Sequence, residues 1–336
     1  MVWRYGTIVN VRSGSILLVI LASGLSAQTP AGDEDFHVYR DAPRILLTAD
    51  RLRLLQREHD RQSMRWQQFN TLVSDSAAMA EPGFAQALYY RVARDTAAGR
   101  KAVEWALGDS ATDLRQLALV FDWCGPVLTP VQADRLADKM ERAMAAPATD
   151  VRGQSARVLA AIALADRLPD QGDAILREIV QKWWRGQIAP QLEAGKPAIP
   201  REQFYALYEM LHALRDNLKI DLREQATAYF RQLPMDYLAG HYPAPLREPE
   251  NEFRIPAYLR DGAPDLAEAA MSRAAGLAMV AYDNNAQDSQ FLQGWLNQDR
   301  FLMRGTLGIV YEFLWANPYQ PGLGYDRQPL VFHDPL

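Results

Sequence analysis

The segment 114–144, LRQLALVFDWCGPVLTPVQADRLADKMERAM, constrains the fold of this chain more than any other, because it predicts two helices joined by a tight corner. The first helix is apolar around most of its circumference, through Leu117, Leu119, Val120, Phe121 and Trp123. A helix with that pattern is buried on more than one side. The sequence therefore predicts an interior helix with neighbours on several faces.

The corner after this helix carries both stop and start signals. Gly125 and Pro126 end the first helix. Thr129 then caps the second helix, Pro130 fits its first helical position, and Gln132 stands where a capping box places Glu or Gln. The second helix is amphipathic, because its apolar residues recur every four positions, at Leu136, Met140 and Met144. A half-exposed helix is thus predicted to cover a buried one.

The rest of the chain predicts an all-α fold from residue 48 to residue 318, with no convincing alternating strand. We expect helices near 49–61, 63–79, 84–95, 97–107, 112–123, 130–145, 153–167, 171–185, 201–216, 221–232, 264–282, 286–296 and 299–315. Short corners at 81–83, 168–170 and 233–234 join them as antiparallel hairpins. This pattern favours a helical toroid or solenoid over a compact bundle. Residues 239–264 contain five prolines and predict a long loop.

The amino terminus predicts an export signal over residues 1–27. Arg4 and Arg12 flank a basic start, residues 16–25 form a short apolar core, and Ala27 ends a small-residue cleavage site. We therefore expect a periplasmic or secreted protein whose residues 28–47 form a flexible lead. Loss of the two arginines leaves 34 basic and 41 acidic residues, a net charge of −7. An acidic chain disfavours nucleic acid or an anionic membrane as the main partner.

The single cysteine excludes an intrachain disulfide. Cys124 follows Trp123 on the interior helix, so we expect a buried apolar residue and not a nucleophile. Asp283, Asn284 and Asn285 predict a helix-ending turn, since two amides and one carboxylate make a poor metal cage. The sequence contains no HExxH, P-loop, GxGxxG or GxSxG motif. No cofactor or metal is therefore expected.

Two stretches carry a resemblance to a known family. The run ALVFDWCGPVLTPVQADRLAD, which starts at Ala118, resembles the "A-x-x-Y-D-W … L-T-x-E-x-R" corner of heparinase II/III-like and alginate-lyase-like polysaccharide lyases. APRILLTADRLRLLQRE, which starts at Ala42, with Trp66 downstream, resembles the beginning of the same domain. The resemblance covers the first half of the chain well and the second half loosely. It implies an incomplete (α/α) toroid of antiparallel helical hairpins.

The resemblance also implies a reaction and a second domain. Lyases of this family cut uronate polymers by β-elimination: the carboxylate is neutralised, a base removes the neighbouring proton, and an acid protonates the leaving oxygen. In the family a linker leads from the toroid to a β-sandwich domain. Residues 319–336 resemble that linker and the start of a sandwich, and they include a short strand-like tail. We expect the chain to stop where the sandwich would begin.

The family's first catalytic segment corresponds to residues 149–165, TDVRGQSARVLAAIALA. Where the family usually shows an Asn-His pair, this chain has Arg152, Gly153 and Gln154. Gln154 is then the amide donor and Arg152 the bidentate partner of a carboxylate. The alternative is a polar helix start whose side chains are solvated. No histidine is available here to act as a base.

The second catalytic segment corresponds to residues 200–211, PREQFYALYEML, and resembles the family's "E-G-x-x-Y" pattern, with Gln203 in place of Gly. Tyr205 is the expected proton-moving residue and Tyr208 the reserve, while Glu202 is expected to contact substrate. Helical spacing places Glu202, Tyr205 and Glu209 on neighbouring parts of one face. The alternative, in which both tyrosines are interior packing residues, stays open.

Further candidate substrate contacts lie elsewhere in the chain. The long loop supplies His241, Tyr242, Arg247, Asn251 and Arg254, which could close over a sugar chain, although a solvated loop is the simpler interpretation. Trp184 follows Trp183 and is the candidate sugar-stacking residue. Consecutive helical residues face different sides, so at least one of these two tryptophans is expected in the core.

These observations leave three functions open. The first is the toroid of a polysaccharide lyase that acts on an acidic, uronate-containing polysaccharide or oligosaccharide and is weakly active by itself. The second is a non-catalytic protein that binds acidic glycans. The third is an (α/α)-barrel glycoside hydrolase, which requires two carboxylates across a cleft. Fold analogy alone does not choose among them.

Overall fold

The structure is a computed structural model, and it describes residues 34–75, 77–240, 246–247, 254–255, 259–260, 263–298 and 305–325. The chain divides into two units, Met1–Asp35 and Phe36–Leu336, and the fold below is that of the second. The predicted export signal, 1–27, and the predicted strand-like tail, 329–332, lie outside the described residues.

The second unit is mainly helical, which confirms the predicted all-α class. Its α-helices are α1 (Ala49–Asp60), α2 (Met64–Ser74), α3 (Pro82–Ala93), α4 (Thr96–Leu107), α5 (Leu114–Trp123), α6 (Pro130–Met144), α7 (Val151–Ala163), α8 (Pro169–Arg177), α9 (Ala189–Glu193), α10 (Phe204–Leu218), α11 (Thr227–Ala239), α12 (Leu266–Tyr282), α13 (Gln287–Gln298) and α14 (Ile309–Trp315). Short 3₁₀ turns occur at Gly125–Val127, Arg201–Gln203 and Leu222–Ala226, and a π-helix, Glu178–Ile188, connects α8 to α9. Two antiparallel pairs of two-residue strands, β1 (Leu246–Arg247) with β2 (Arg254–Ile255) and β3 (Leu259–Arg260) with β4 (Ala263–Pro264), lie in the segment predicted as a long loop.

Local signals in the sequence place most helix boundaries correctly. Thr129 and Gln132 form the predicted capping box, with Pro130 as the first residue of α6. Pro82 and Pro169 likewise begin α3 and α8. None of the helices in the described ranges is both long and apolar enough to cross a membrane.

Several predicted boundaries differ from the structure. Within the described residues, the helix expected over 299–315 begins only at Ile309, and the one expected over 221–232 is α11, Thr227–Ala239. The helix expected over 63–79 ends at Ser74. The corner expected at 233–234 is wrong, because α11 runs through Pro234 to Ala239. Pro234 lacks an N–H and ordinarily disrupts a helix interior. Here Leu233 and Pro234 are both buried, so packing holds the helix through the proline.

The helices form two sets that differ in burial. Helices α3, α5, α7, α10, α12 and α14 are buried on most of their surfaces. Each contacts the next in that order, and α14 contacts α3 again. Helices α2, α4, α6, α8, α11 and α13 each contact members of this inner set and carry the exposed charged residues. The buried α5 and the amphipathic α6 are therefore one example of a pattern that recurs along the chain.

The amino-terminal ends of the inner helices meet at one end of the unit, which we name the N-terminal face. Gln116 near the start of α5 accepts hydrogen bonds from the backbone N–H groups of Gly83 and Phe84 at the start of α3. Val151 N–H, at the start of α7, donates to the side chain of Gln203 just before α10 (3.0 Å). At the opposite end, Arg215 of α10 donates to the Tyr282 carbonyl of α12. The inner helices therefore run in the same direction.

The irregular segment 36–47 packs against the carboxyl ends of α5 and α10. The carboxylate of Asp122 accepts hydrogen bonds from the backbone N–H groups of Arg44 and Ile45, at 2.8–3.0 Å. Trp123 Nε1–H donates to the Ile45 carbonyl (2.9 Å), and Asn217 donates to the Arg44 carbonyl (3.0 Å). This part of the expected flexible lead has no helix or strand, yet it is held by specific hydrogen bonds and supplies buried side chains, namely Phe36, Val38, Ile45, Leu46 and Leu47.

Burial at the carboxyl end of α5 shifts the pKa values of two ionisable side chains, Asp122 and Cys124. Burial raises the pKa of Asp122 to about 6, although the backbone N–H donors of Ile45 and Arg44 oppose that shift. Cys124 is buried as predicted, and burial raises the pKa of its thiol to about 12. A thiol in that state is protonated and unreactive at neutral pH. Asp122 and Trp123 therefore hold the segment 36–47 in place through their side chains, and Cys124 is buried beside them.

Candidate functional site

Four of the residues selected from the sequence meet at the N-terminal face. Arg152, in the first turn of α7, is exposed and donates through Nη2 to the Glu202 carbonyl (3.0 Å) just before α10. Gln154 lies two residues after Arg152 on the same helix, and Tyr205 is the second residue of α10. The two sequence segments predicted to share a site are therefore adjacent in space.

Gln154 is buried and already has hydrogen-bond partners on both sides of its amide. Its Nε2 donates to the Ala148 carbonyl (2.7 Å), and its Oε1 accepts from Arg157 Nη1 (3.0 Å). These bonds fix the loop that leads into α7. Gln154 thus has a structural role at the start of α7. Of the two residues, Arg152 alone carries a charge, and its side chain is exposed to solvent.

Below the N-terminal face lies a group of buried and half-buried polar side chains, which we name the Arg115 cluster: Glu81, Arg115, Tyr205, Glu209 and Tyr311. Its members come from the residue before α3 and from α5, α10 and α14, four neighbouring parts of the inner set. Glu209 has no exposed surface. The cluster therefore joins four of the six inner helices, α3, α5, α10 and α14, near their amino-terminal ends.

Arg115 connects the two carboxylates of this cluster. Its Nε and Nη2 donate to the two carboxylate oxygens of Glu209 (2.6 and 2.8 Å), and its Nη1 donates to both oxygens of Glu81 (3.3 and 3.2 Å). Burial alone lowers the pKa of Arg115, but the charges of Glu209, Tyr311 and Glu81 outweigh it and raise the pKa well above its usual value. The guanidinium group also lies 4.8 Å from the ring centroid of Phe84. All its donors are engaged, so Arg115 is fixed and charged.

Tyr205 is enclosed by this cluster and is only 2% exposed. Its hydroxyl donates to Glu209 Oε1 and accepts from Arg115 Nη2 and Trp315 Nε1, each at 3.2 Å. Burial, and then the negative charge of Glu209, raise its pKa well above the usual value. The positive charge of Arg115, which lowers this pKa, is outweighed. As folded, Tyr205 is a buried hydrogen-bond donor to Glu209 and a poor base.

Most of the Arg115 cluster was missed by the sequence analysis. Glu209 was placed beside Tyr205 by helical spacing, but Glu81, Arg115 and Tyr311 were not selected. A charged residue at the start of an otherwise apolar interior helix was the available signal for Arg115, since a buried charge requires a partner. Nothing local identified Glu81 and Tyr311 as those partners.

The reserve tyrosine lies elsewhere. Tyr208 lines a separate cavity among α11, α12 and α13, together with Asp221 and Tyr282. Its ring contacts that of Tyr282 edge to face, with centroids 5.9 Å apart. Tyr205 and Tyr208 therefore belong to different environments, although they are three residues apart on one helix.

The tryptophan pair is part of the core. Trp184 has no exposed surface, and its Nε1–H donates to the Leu222 carbonyl (3.0 Å). Trp183 is also buried and donates to the Thr149 carbonyl (3.3 Å). The prediction that at least one of them is interior is confirmed. Trp184 has no ring face on which a sugar can stack, because its side chain is completely enclosed.

The candidate loop residues are only partly described. His241, Tyr242 and Asn251 lie outside the described residues. Arg247 and Arg254 face each other in the register of β1 and β2, and their side chains lie outside the description. Gly240, the last described residue before this loop, packs so closely against the guanidinium group of Arg201 that a β-carbon at this position would clash. The loop therefore begins beside the residues that lead into α10, at the N-terminal face.

The described residues were also searched for a metal site. Among the described residues, no group of three or more His, Cys, Asp or Glu side chains is placed to hold a metal ion. Asp283 directly follows α12, as the predicted helix-ending turn requires.

The chain was compared with protein-family models and with curated proteins, and none of them matches it.

Two tyrosine-to-phenylalanine substitutions should separate the two environments. Tyr205→Phe removes the bonds to Glu209, Arg115 and Trp315, and leaves the buried Trp315 N–H without an acceptor, so we expect unfolding to become easier by about 1–3 kcal/mol. Tyr208→Phe removes a hydroxyl that has no partner among the described residues, and should change the free energy of unfolding by less than about 0.5 kcal/mol. Urea unfolding at neutral pH measures both. Equal losses in the two variants would contradict the assigned hydrogen bonding.

Proposed function

We propose that this chain is an (α/α) toroid of the polysaccharide-lyase kind, which binds an acidic, uronate-containing glycan at its N-terminal face. By itself it is expected to cleave that glycan slowly or not at all. We further propose that it acts outside the cytoplasm, as its predicted export signal suggests. The proposal combines the resemblance described above with the arrangement of the inner helices.

Two observations support the toroid. The six inner helices contact one another in cyclic order, with an outer helix beside each hairpin, as expected for helical hairpins arranged around an axis. The two stretches that carry the family resemblance also contact each other, through Asp122 and Trp123 to Arg44 and Ile45. Segments that are 77 and 78 residues apart thus form one structural unit.

The observation that carries glycan binding is Arg152 at the amino-terminal end of α7. Its guanidinium is solvated, anchored by one hydrogen bond to the Glu202 carbonyl, and bonded to no carboxylate among the described residues. It lies beside the amino-terminal ends of α7 and α10, and helix N-termini favour negative charge. A uronate carboxylate matches this combination, because a guanidinium group binds a carboxylate in a bidentate manner.

The buried state of Tyr205 favours binding over rapid elimination. Its hydroxyl proton is directed to Glu209, and its raised pKa opposes proton abstraction at neutral pH. The glycoside-hydrolase alternative is less well supported, since Glu81 and Glu209 both bond to Arg115 and neither is free to act as a general acid. A non-catalytic glycan-binding protein is the second candidate, and the same tyrosine supports it.

Binding and cleavage should be measured on the same preparation. We expect alginate or heparan sulfate to retard the protein in affinity electrophoresis, with little formation of the unsaturated uronate chromophore. Arg152→Ala should weaken binding about two- to fivefold, the effect of one solvent-exposed ion pair. The matched control is Arg135→Ala on the exposed side of α6, which should leave binding unchanged.

Two results would contradict the proposal. The first is a complete lack of binding to acidic glycans at low ionic strength. The second is rapid turnover that neither Tyr205→Phe nor Arg152→Ala affects, because it would place the chemistry at a different site.

A further inference from the structure

A cavity of about 330 Å³ lies where the end of α12 meets the start of α13, beside α11 and the Leu222–Ala226 turn. Its position at the carboxyl end of α12 separates it from the N-terminal face. Pockets that hold small organic ligands have volumes of about 300–1,000 Å³. This cavity is therefore large enough for one small ring.

Two side chains that are almost completely buried present hydroxyl groups to this cavity, and those hydroxyls have no hydrogen-bond partner among the described residues. Tyr208 is 4% exposed and Ser289 is 2% exposed, and neither side chain is bonded to any group in the described part of the chain. Buried polar groups in proteins are nearly always hydrogen-bonded, to protein, water or a ligand. Each hydroxyl can donate one bond and accept others. Both hydroxyls are therefore free to bond to a ligand group that donates and accepts hydrogen bonds.

Three of the six charged groups around the cavity, Asp221, Arg223 and Asp283, are paired with each other. Asp221 accepts hydrogen bonds from Arg223, the shortest at 2.9 Å, and from Tyr282 (3.2 Å). Arg223 also lies 3.6 Å from Asp283 and stacks 4.0 Å from the Tyr282 ring centroid. The cavity lining has four carboxylates and two guanidinium groups, so it repels an anion. No unpaired buried carboxylate is present in this lining to attract a cation strongly.

We propose that this cavity binds a single uncharged polyhydroxylated ring, such as a neutral hexose. The hydroxyls of the ring pair with Tyr208 and Ser289. Its apolar C–H face packs on Phe230 and Met279, which form the buried apolar part of the lining. This ligand differs in charge from the acidic glycan proposed for the N-terminal face, and the two sites are independent.

Ligand-detected saturation-transfer NMR with the whole protein tests this site. The probes are D-glucose, D-galactose and D-mannose, with glucosamine as the cationic arm and glucuronate as the anionic arm. We expect at least one neutral hexose to bind saturably and more tightly than glucosamine or glucuronate. The double substitution Tyr208→Phe/Ser289→Ala should weaken that binding about tenfold or more, because it removes both hydroxyls and leaves the cavity shape almost unchanged.

The controls separate this site from the proposed glycan-binding face. Thermal unfolding of the double variant should match the original protein, since no existing hydrogen bond is lost. Arg152→Ala should leave hexose binding intact while it weakens binding of the acidic polymer. The proposal is overturned if no neutral hexose binds, if a charged probe binds more tightly than every neutral one, or if the double variant binds hexose as well as the original protein.

Discussion

Replacement of Arg115 by methionine should destabilise the protein by about 3–5 kcal/mol, the usual loss when one partner of a buried ion pair is removed. Glu209 has no exposed surface and takes two of its hydrogen bonds from Arg115. Without the guanidinium group, its charge would remain buried beside Glu81. Chemical denaturation at neutral pH measures the loss as a shift in the unfolding midpoint.

A second substitution identifies the cause. Arg115→Met combined with Glu209→Gln removes both charges and should recover a large part of the lost stability, which a double-mutant cycle measures as a coupling energy. Arg100→Met, on the exposed face of α4, is the matched control and should change stability by less than about 0.5 kcal/mol. If Arg115→Met alone behaves like this control, the Arg115 cluster does not hold the inner helices together.

Replacement of Trp123 by alanine should cost about 3–5 kcal/mol by emptying a core position. Trp123 has no exposed surface, packs near Phe84 with ring centroids 5.8 Å apart, and donates to the Ile45 carbonyl. We also expect the amides of residues 44 and 45 to exchange faster with solvent, because their segment loses a bond to α5. Urea unfolding and hydrogen exchange measure the two effects.

The control for this prediction lies on the next helix. Val131 is 68% exposed on α6, so Val131→Ala should have little effect. Trp123→Phe should cost less than Trp123→Ala, because it retains most of the buried ring. A small shift in the unfolding midpoint for Trp123→Ala would show that α5 is not the interior helix described here.

The sequence allowed the helices to be predicted because their determinants are local. Thr129, Pro130 and Gln132 define the start of α6 by contacts within four residues. The same reasoning failed at Pro234, because burial of α11 outweighs the local preference of proline. Local signals are thus reliable where the chain is half exposed, and less so where tertiary packing dominates.

The candidate site was harder to predict, because its partners are distant in sequence. Arg115 bonds to residues 34 and 94 positions away, and no periodicity relates them. Tyr205 and Tyr208 have the same side chain on one helix, yet one is fully hydrogen-bonded and the other faces a cavity. Side-chain type and helical spacing cannot distinguish these states. The distinction requires the neighbours that α12, α13 and α14 supply.

The contact between α14 and α3 has a consequence for the order of folding. Tyr311 hydrogen-bonds to Glu81 across 230 residues, and Ala80 N–H donates to the Thr306 carbonyl. During synthesis from the amino terminus, each hairpin can pack on the one made before it. The side of α3 that faces away from α5 is covered only after α14 has been made. Loop-closure entropy grows with sequence separation, and contacts of this kind slow folding. The first inner helix to leave the ribosome is therefore among the last to be completely buried.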